Sequence, residues 1–573
     1  MLIASKTAAA GMAAAVVAAG GLPAPAAFAD SAVPADSTAA DSTASVGSRV
    51  LVGSGIAARA LPPPAEGAAA APKIRWRRCP KKDRLEKGVL AGLECGTLRV
   101  PLDYARPRGK KITLELTRAR HTAARSQGVV LLNRGGPGAH GRDLARLFRD
   151  GLPKDVAAGY DWIGYDPRGV GASRPALVCD PKYQNPGRPR ADVVPADRAE
   201  ERAWVRRVRA YVADCASRYR DVLPYMGTRE WVRDMDAIRA ALGVKQINYF
   251  GYSYGSYLGA AYASAYPHRV RRMVLDSVVR PSNVWYHSNL DQNVAFEKRI
   301  QAYFAWIARH HARYRLGRTR EAVGATYYRV RSRLRAKPIN GRIGPSELDD
   351  IFLNDGYADH TWPKHAAALS AYVVKKDPRP LLEEFKPPNW LEQNNYTVYN
   401  AVQCRDAPWP RSWSVWHRDN WRLYREGYRF ETWGNAWYNA PCAFWPVHGG
   451  PRLRIHGREG MAPILLVHAT EDAATPYVGA LETHRLFPGS RLIVQTGGGN
   501  HGVALGGDRC IDEAVVTYLR NGRLPADRPG PDLSCPAGPP PKAERPKQAG
   551  KAARRPGVAD GVPYGPVGRG GAG

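Results

Sequence analysis

The stretch Gly251-Tyr252-Ser253-Tyr254-Gly255 narrows the folds open to this chain more than any other. Before it runs Gln246-Ile247-Asn248-Tyr249-Phe250, short, apolar and β-prone. After it runs Ser256-Tyr257-Leu258-Gly259-Ala260-Ala261-Tyr262-Ala263, small and helix-tolerant. The pattern is a strand, a sharp turn and a helix, with a serine at the turn. A side chain at Gly251 or Gly255 would collide with the neighbouring strand or helix as the chain reverses. Gly259 and Ala263 let the helix sit close to the sheet.

The neighbouring segments repeat the theme. Gly128-Val129-Val130-Leu131-Leu132-Asn133 is a continuous apolar run, typical of a strand covered on both faces, and it feeds Arg134-Gly135-Gly136-Pro137-Gly138. Asp161 to Asp166 is a second buried strand. The spacing of Trp231, Met235, Ile238 and Leu242 predicts a helix that Thr228 can cap and Gly243 stops. Arg272 to Asp276, Pro463 to His468 and Arg491 to Val494 read as later strands, and Ala514 to Leu519 as a closing helix. Strands alternating with helices predict a mostly parallel sheet, an α/β fold. Ahead of it, Glu94 to Tyr104 and Ile112 to Arg120 alternate as an antiparallel pair. Between 282 and 455 the alternation gives way to helical patterns rich in tryptophan, the mark of an inserted lid or cap.

Both ends differ from this middle. Residues 1–29 have the form of a secretory signal: Lys6, a small apolar run from Ala8 to Leu22, and Ala27-Phe28-Ala29 before Asp30. Residues 30–72 are a flexible Ala/Ser/Asp/Pro-rich leader, and residues 536–573 a disordered basic tail. The core is divided into 73–281 and 456–535 around the 282–455 insertion. The eight cysteines, Cys79, Cys95, Cys179, Cys215, Cys404, Cys442, Cys510 and Cys535, include no Cys-x-x-Cys pair, so neither a zinc site nor thioredoxin-like chemistry is expected. Disulfides persist outside the cytosol, and pairing in sequence-local couples, 79–95, 179–215, 404–442 and 510–535, is the scheme expected here. The formal net charge of +32 is dispersed over the chain, with no recognition helix or RNA-binding signature. No nucleic-acid partner, membrane anchor, metal or other cofactor is expected. The charge allows association with an anionic cell wall.

A serine hydroxyl becomes a useful nucleophile only when an imidazole takes its proton and a carboxylate orients that imidazole. The elbow serine and the chain order serine, acid, histidine are those of α/β-hydrolases. Asp472, in Ala469-Thr470-Glu471-Asp472, follows a late strand and is the expected acid; Glu471 and Asp276 are its rivals. His501, in Gly497-Gly498-Gly499-Asn500-His501-Gly502, is the expected base, ahead of His140 and His468. An oxyanion needs two donors, and the backbone N–H groups of Tyr254 and Gly136 are the expected pair.

These residues together resemble the secreted bacterial tripeptidyl aminopeptidase and proline iminopeptidase branch of the α/β-hydrolases. The likeness rests on Gly135-Gly136-Pro137-Gly138, Asp166-Pro167-Arg168-Gly169-Val170-Gly171, Asn248 to Gly255, Val274-Leu275-Asp276, Asp472 with Thr475-Pro476, and His501-Gly502. Cys95 to Tyr104 fits the family's opening. The resemblance implies removal of short peptides from free N-termini through an acyl-enzyme, with a lid whose carboxylates receive the substrate amine. It implies Asp406, in Cys404-Arg405-Asp406, as one such carboxylate. Arg134, Ser256 and Arg280 depart from the family pattern and bear on the substrate rather than the triad. The alternatives are a secreted esterase or amidase of the same fold, and an inactive basic wall-binding protein.

Overall fold

A computed structural model describes residues 73–81 and 83–543. The expected signal, the leader and the tail from 544 onward lie outside the described residues. One sheet organises the rest. Its strands are β1 (Arg77–Arg78), β2 (Glu94–Pro101), β3 (Lys111–Ala119), β4 (Val129–Asn133), β5 (Asp161–Asp166), β6 (Ile247–Tyr252), β7 (Val270–Asp276), β8 (Ile464–Ala469), β9 (Arg491–Thr496) and β10 (Leu533–Pro536). They lie in the order β1-β2-β3-β5-β4-β6-β7-β8-β9-β10. From β5 to β10 every pairing is parallel, whereas β1–β2, β2–β3 and β3–β5 are antiparallel. This is the antiparallel opening and parallel continuation that the alternating and apolar runs predict.

The apolar runs are continuous because both sheet faces are covered. In β4, Val129 and Leu131 join one core while Val130 and Leu132 join the other; Leu466 and Leu465 of β8 divide the same way. The first core packs the helices Thr228–Ala241 and Tyr254–Ala265, and the second packs Leu144–Gly151 and Arg509–Asn521. Between β7 and β8 the chain is helical, from Tyr286–Arg309 through Pro345–Tyr357 and Trp390–Asp406 to Pro441–Phe444. Part of this insertion has its own core around Phe304, Tyr327, Phe352 and Leu369. Its tryptophans pack on one another and on the helix Arg198–Tyr219: Trp413, Trp433 and Trp204 all lie against Trp437.

Four disulfides join Cys79–Cys95, Cys179–Cys215, Cys404–Cys442 and Cys510–Cys535, the local couples. Two expectations change. The tail does not come loose at 536: Ala537 N–H bonds the Thr496 carbonyl, and Trp306 Nε1 donates to the Pro541 carbonyl at 2.9 Å. Order extends past Cys535 because β10 adds to the sheet edge and carries these residues onto the insertion. Thr228 is the first helical residue rather than the cap, and the capping carboxylate belongs to Asp406, far along the chain.

Candidate active site

The loops that follow β4, β6, β7, β8 and β9 meet at the carboxyl end of the sheet. Ser253 sits directly after β6 with φ 57° and ψ −125°, a backbone conformation few non-glycine residues adopt. The turn is affordable only with glycine on either side. A Cβ on Gly251 would stand 2.5 Å from the Gly255 carbonyl oxygen, and one on Gly255 would stand 2.8 Å from that of Asn133. The turn is pinned by Ser253 N–H on the Asp276 carbonyl at 2.9 Å, and by Ser256, whose N–H and hydroxyl both donate to the Ser253 carbonyl. Ser256 Oγ also accepts from Val279 N–H, so serine here links the elbow to the segment that follows β7.

Asp472 and His501 meet. His501 Nδ1 lies 2.8 Å and 3.0 Å from the two carboxylate oxygens of Asp472. Asp472 Oδ1 accepts from the N–H groups of Ala474 and Thr475 at 2.9 and 3.1 Å, and Oδ2 from Thr475 Oγ1 at 2.9 Å. Both side chains are buried. Burial alone would push the Asp472 carboxyl up, but the His501 imidazole and these donors outweigh it and hold it below the usual carboxylate range.

The histidine loop is tied to the elbow by neighbours of both. Tyr252 hydroxyl donates to the Ala504 carbonyl at 3.1 Å, Ala504 N–H donates to Asp276 Oδ2 at 2.7 Å, and Gly502 N–H to Ser277 Oγ at 2.6 Å. From the insertion, the Tyr357 carbonyl accepts the His501 N–H at 2.8 Å, and the Tyr357 ring meets the imidazole edge-on at 5.6 Å.

The rivals have other work. Asp276 is fully buried and anchors Ala504; burial pushes its carboxyl up to about 7. Glu471 is largely solvent-exposed. His140 bonds Asp143 at 3.1 Å, and His468 is a buried acceptor for Val278 N–H, drawn down to about 4 by burial. The loop after β4 closes on the elbow: a Cβ on Gly135 would lie 3.0 Å from Ser253 Cβ and 3.1 Å from Tyr254 N. Gly135, Gly136 and Gly138 all have φ above 100°, which turns successive backbone N–H groups in a way L-residues resist. Arg134 is buried and bonds Asp143 at 2.5 Å, stiffening the loop from behind.

Asp406 is buried. It accepts from Thr228 N–H and Oγ1, each at 2.6 Å, and from Trp285 Nε1 at 3.2 Å; burial pushes it up to about 7. Thr228 Oγ1 lies 2.7 Å from the hydroxyl of Tyr254, the residue after the elbow serine. Arg280 bonds Glu482 at 2.8 Å. Ser277 and Tyr357 are parts of the site that the sequence does not single out. Thr475, which belongs with Asp472 in the family resemblance, donates to that carboxylate.

The arrangement has known relatives. A family model described as alpha/beta hydrolase fold matches residues 128–503. The chain is 43% identical over 474 residues to a tripeptidyl aminopeptidase of Streptomyces lividans, covering 81% of this chain and 86% of that one.

This chain is an α/β-hydrolase of the tripeptidyl aminopeptidase family.

It is also 32% identical to the serine protease Hip1 of Mycobacterium tuberculosis over 79% of its length and 89% of the relative's. At 30% identity, with the same two coverages, it is similar to a carboxylesterase B of that organism. The chain is therefore a serine hydrolase of the peptidase kind. Among the described residues no helix is long and apolar enough to cross a membrane.

Proposed function

We propose that the protein is an exported serine aminopeptidase that releases short peptides, tripeptides foremost, from free N-termini. Ser253 Oγ attacks the scissile carbonyl carbon while His501 Nε2 takes its proton; Asp472 holds the imidazole and offsets the charge it gains. The N–H groups of Tyr254 and Gly136 receive the oxyanion. His501 then protonates the leaving amine, the C–N bond breaks, and water delivered through the same imidazole hydrolyses the acyl-enzyme. Export is supported by the four disulfides, which persist outside the cytosol. Association with an anionic cell wall is the partner reading that the +32 charge favours.

The observation that supports a free amine over any other substrate feature is a cavity between the insertion and the 183–207 segment, where carboxyl groups outnumber guanidinium groups. Its charged lining is Asp349, Asp350 and Glu431 with Arg190 and Arg207, beside Tyr396 and Tyr438. Asp350 is paired with Arg190 and Asp349 with Arg331, whereas Glu431 has no ion pair among the described residues. Burial holds the Glu431 carboxyl well above its ordinary range, so an arriving ammonium would find a group ready to ionise against it. The cavity lies one aromatic layer from the loop after β4: Tyr438 packs on Tyr399 at 5.0 Å, and a Cβ on Gly138 would lie 3.1 Å from Tyr399 N.

The test is a panel of p-nitroanilides of one to four residues, each with a free and an acetylated amine. The proposal expects the free tripeptide to be the best substrate, acetylation to lower kcat/KM at least tenfold, and Glu431→Gln to remove most of that preference. Equal rates on blocked and free substrates would reject aminopeptidase action. The carboxylesterase relative makes one other outcome concrete: short acyl esters turned over faster than any peptide anilide.

A further inference from the structure

Arg299 lies in the first long helix of the insertion, Tyr286–Arg309, yet its side chain reaches the histidine loop. The side chain is buried, at 6% exposed. Its guanidinium occupies the space where Gly499 would carry a side chain: a Cβ there would fall 2.2 Å from Cζ, 2.3 Å from Nη1 and 2.5 Å from Nε. Gly499 is two residues before His501. The guanidinium carbon is 5.0 Å from the centroid of Trp362, within reach of the ring face. Its nearest ion partner, Glu471, is 3.9 Å away and mostly in solvent. Nε and Nη2 have no hydrogen-bond partner among the described residues. A buried cation so poorly paired is an expensive way to fill space, and an apolar side chain would pack there at less cost.

The rest of the loop is held from the same side. Asp359 N–H donates to Asn500 Oδ1 at 2.8 Å, and the Tyr357 carbonyl accepts the His501 N–H. Three successive residues of the loop, Gly499, Asn500 and His501, are therefore each contacted by the insertion, and Arg299 brings the only positive charge to that set of contacts. The charged and titratable groups facing Arg299 are Asp355, Asp359, Glu471 and Asp472. Those facing His501 are Asp472, Asp276 and His468, with the Tyr357 ring beside it.

We propose that Arg299 is a positioning residue through which the insertion sets both the place of the His501 loop and the charge balance under which His501 takes up a proton. The guanidinium is the cation that opposes a second positive charge on the imidazole, against the carboxylates gathered around it. Gly499 is glycine because that cation needs the room. This rests on His501 being the general base, as proposed above.

The experiment compares pH profiles of kcat/KM on a tripeptide p-nitroanilide for the wild type, Arg299→Met and Arg299→Lys, all in the full chain. Arg299→Met removes the charge, so the acid limb is expected to move up, by about one pH unit for the loss of a single nearby charge. Arg299→Lys keeps the charge and should leave the limb in place while kcat falls. A purely structural role would lower kcat in both without moving either limb, and that result overturns the proposal. A second pair covers the case in which Arg299→Met does not fold. Gly499→Ala should lower kcat at least tenfold with KM little changed, and the same change made on Arg299→Ala should add nothing, since the methyl then meets empty space. Gly499→Ala with wild-type kcat, or equal losses in both backgrounds, rejects the arrangement. Failure of the triad itself would look different: His501→Ala would retain activity, whatever Arg299 does.

Discussion

Replacing Asp472 with asparagine tests the Asp472–His501 pair without changing its shape. The two carboxylate oxygens are not equivalent. Oδ1 accepts from two backbone N–H groups, those of Ala474 and Thr475, whereas Oδ2 faces the Thr475 hydroxyl and makes the shorter contact with His501 Nδ1, at 2.8 Å. An amide oxygen must therefore take the Oδ1 position, because an NH₂ there would oppose two fixed donors. The amide nitrogen then stands in the Oδ2 position and donates to His501 Nδ1. That hydrogen bond requires the imidazole proton to sit on Nε2, the atom that must accept the serine proton. The expected loss in kcat is about 10⁴-fold, ~5.5 kcal/mol of transition-state stabilisation. Folding should change by only about 1–3 kcal/mol, because one charged hydrogen bond is exchanged for a neutral one and no cavity is made. Steady-state hydrolysis of a tripeptide p-nitroanilide reads the first quantity, and urea unfolding followed by fluorescence reads the second. A folded Asp472→Asn protein within tenfold of wild-type kcat would refute the tautomer argument and return the acid role to Asp276 or Glu471.

Gly251→Ala should collapse the elbow, since its methyl would meet the Gly255 carbonyl at 2.5 Å and the Tyr249 ring at 2.6 Å. Activity should drop more than about 100-fold with destabilisation of ~2–4 kcal/mol, while Gly538→Ala, which meets open space, should leave both unchanged; equal effects would count against a sterically fixed turn. Stability should also depend on pH through the insertion. His365 Nδ1 lies 2.9 Å from both oxygens of Asp355, and Nε2 lies 3.6 Å from Glu384. Burial opposes its charge, but the two carboxylates prevail and raise its pKa to about 9. A raised histidine stabilises fully below its unfolded pKa of about 6.5 and loses that contribution as pH climbs through the folded value. Unfolding free energy should therefore fall by up to about 3 kcal/mol between pH 6.5 and 9.5, a slope that His365→Asn should flatten; an unchanged slope in that variant would sink the assignment.

What the sequence discloses here follows the range of the interaction involved. The elbow is legible because a turn this tight leaves a local mark, glycine on both sides of a serine between an apolar strand and a small-residue helix. Asp472 and His501 are legible as polar residues in turns after late strands, which is where a parallel sheet delivers its loops. The buried parallel strands announce themselves as unbroken apolar runs. Contacts made by the insertion leave no such mark. Nothing around Tyr357 indicates that its carbonyl holds the His501 N–H, and nothing around Asp406 says that it caps a helix beginning at Thr228. Thr228 itself is a sound capping residue by type, and a tertiary carboxylate took the position instead. The tail is misjudged for a related reason. Its proline-rich composition begins at Pro536, yet β10 and the bonds of Ala537 and Pro541 are set by the sheet edge and by Trp306, contacts that composition does not register.

The central claim is that Ser253 is the atom-donating nucleophile, armed by His501. Incubation with a fluorophosphonate probe, followed by proteolysis and mass spectrometry, tests this most directly. The account expects one phosphonyl adduct per chain on the peptide carrying Ser253, absent in Ser253→Ala and slowed by several orders of magnitude in His501→Ala. An adduct on any other residue, or a folded wild-type protein that takes up no probe, would contradict it.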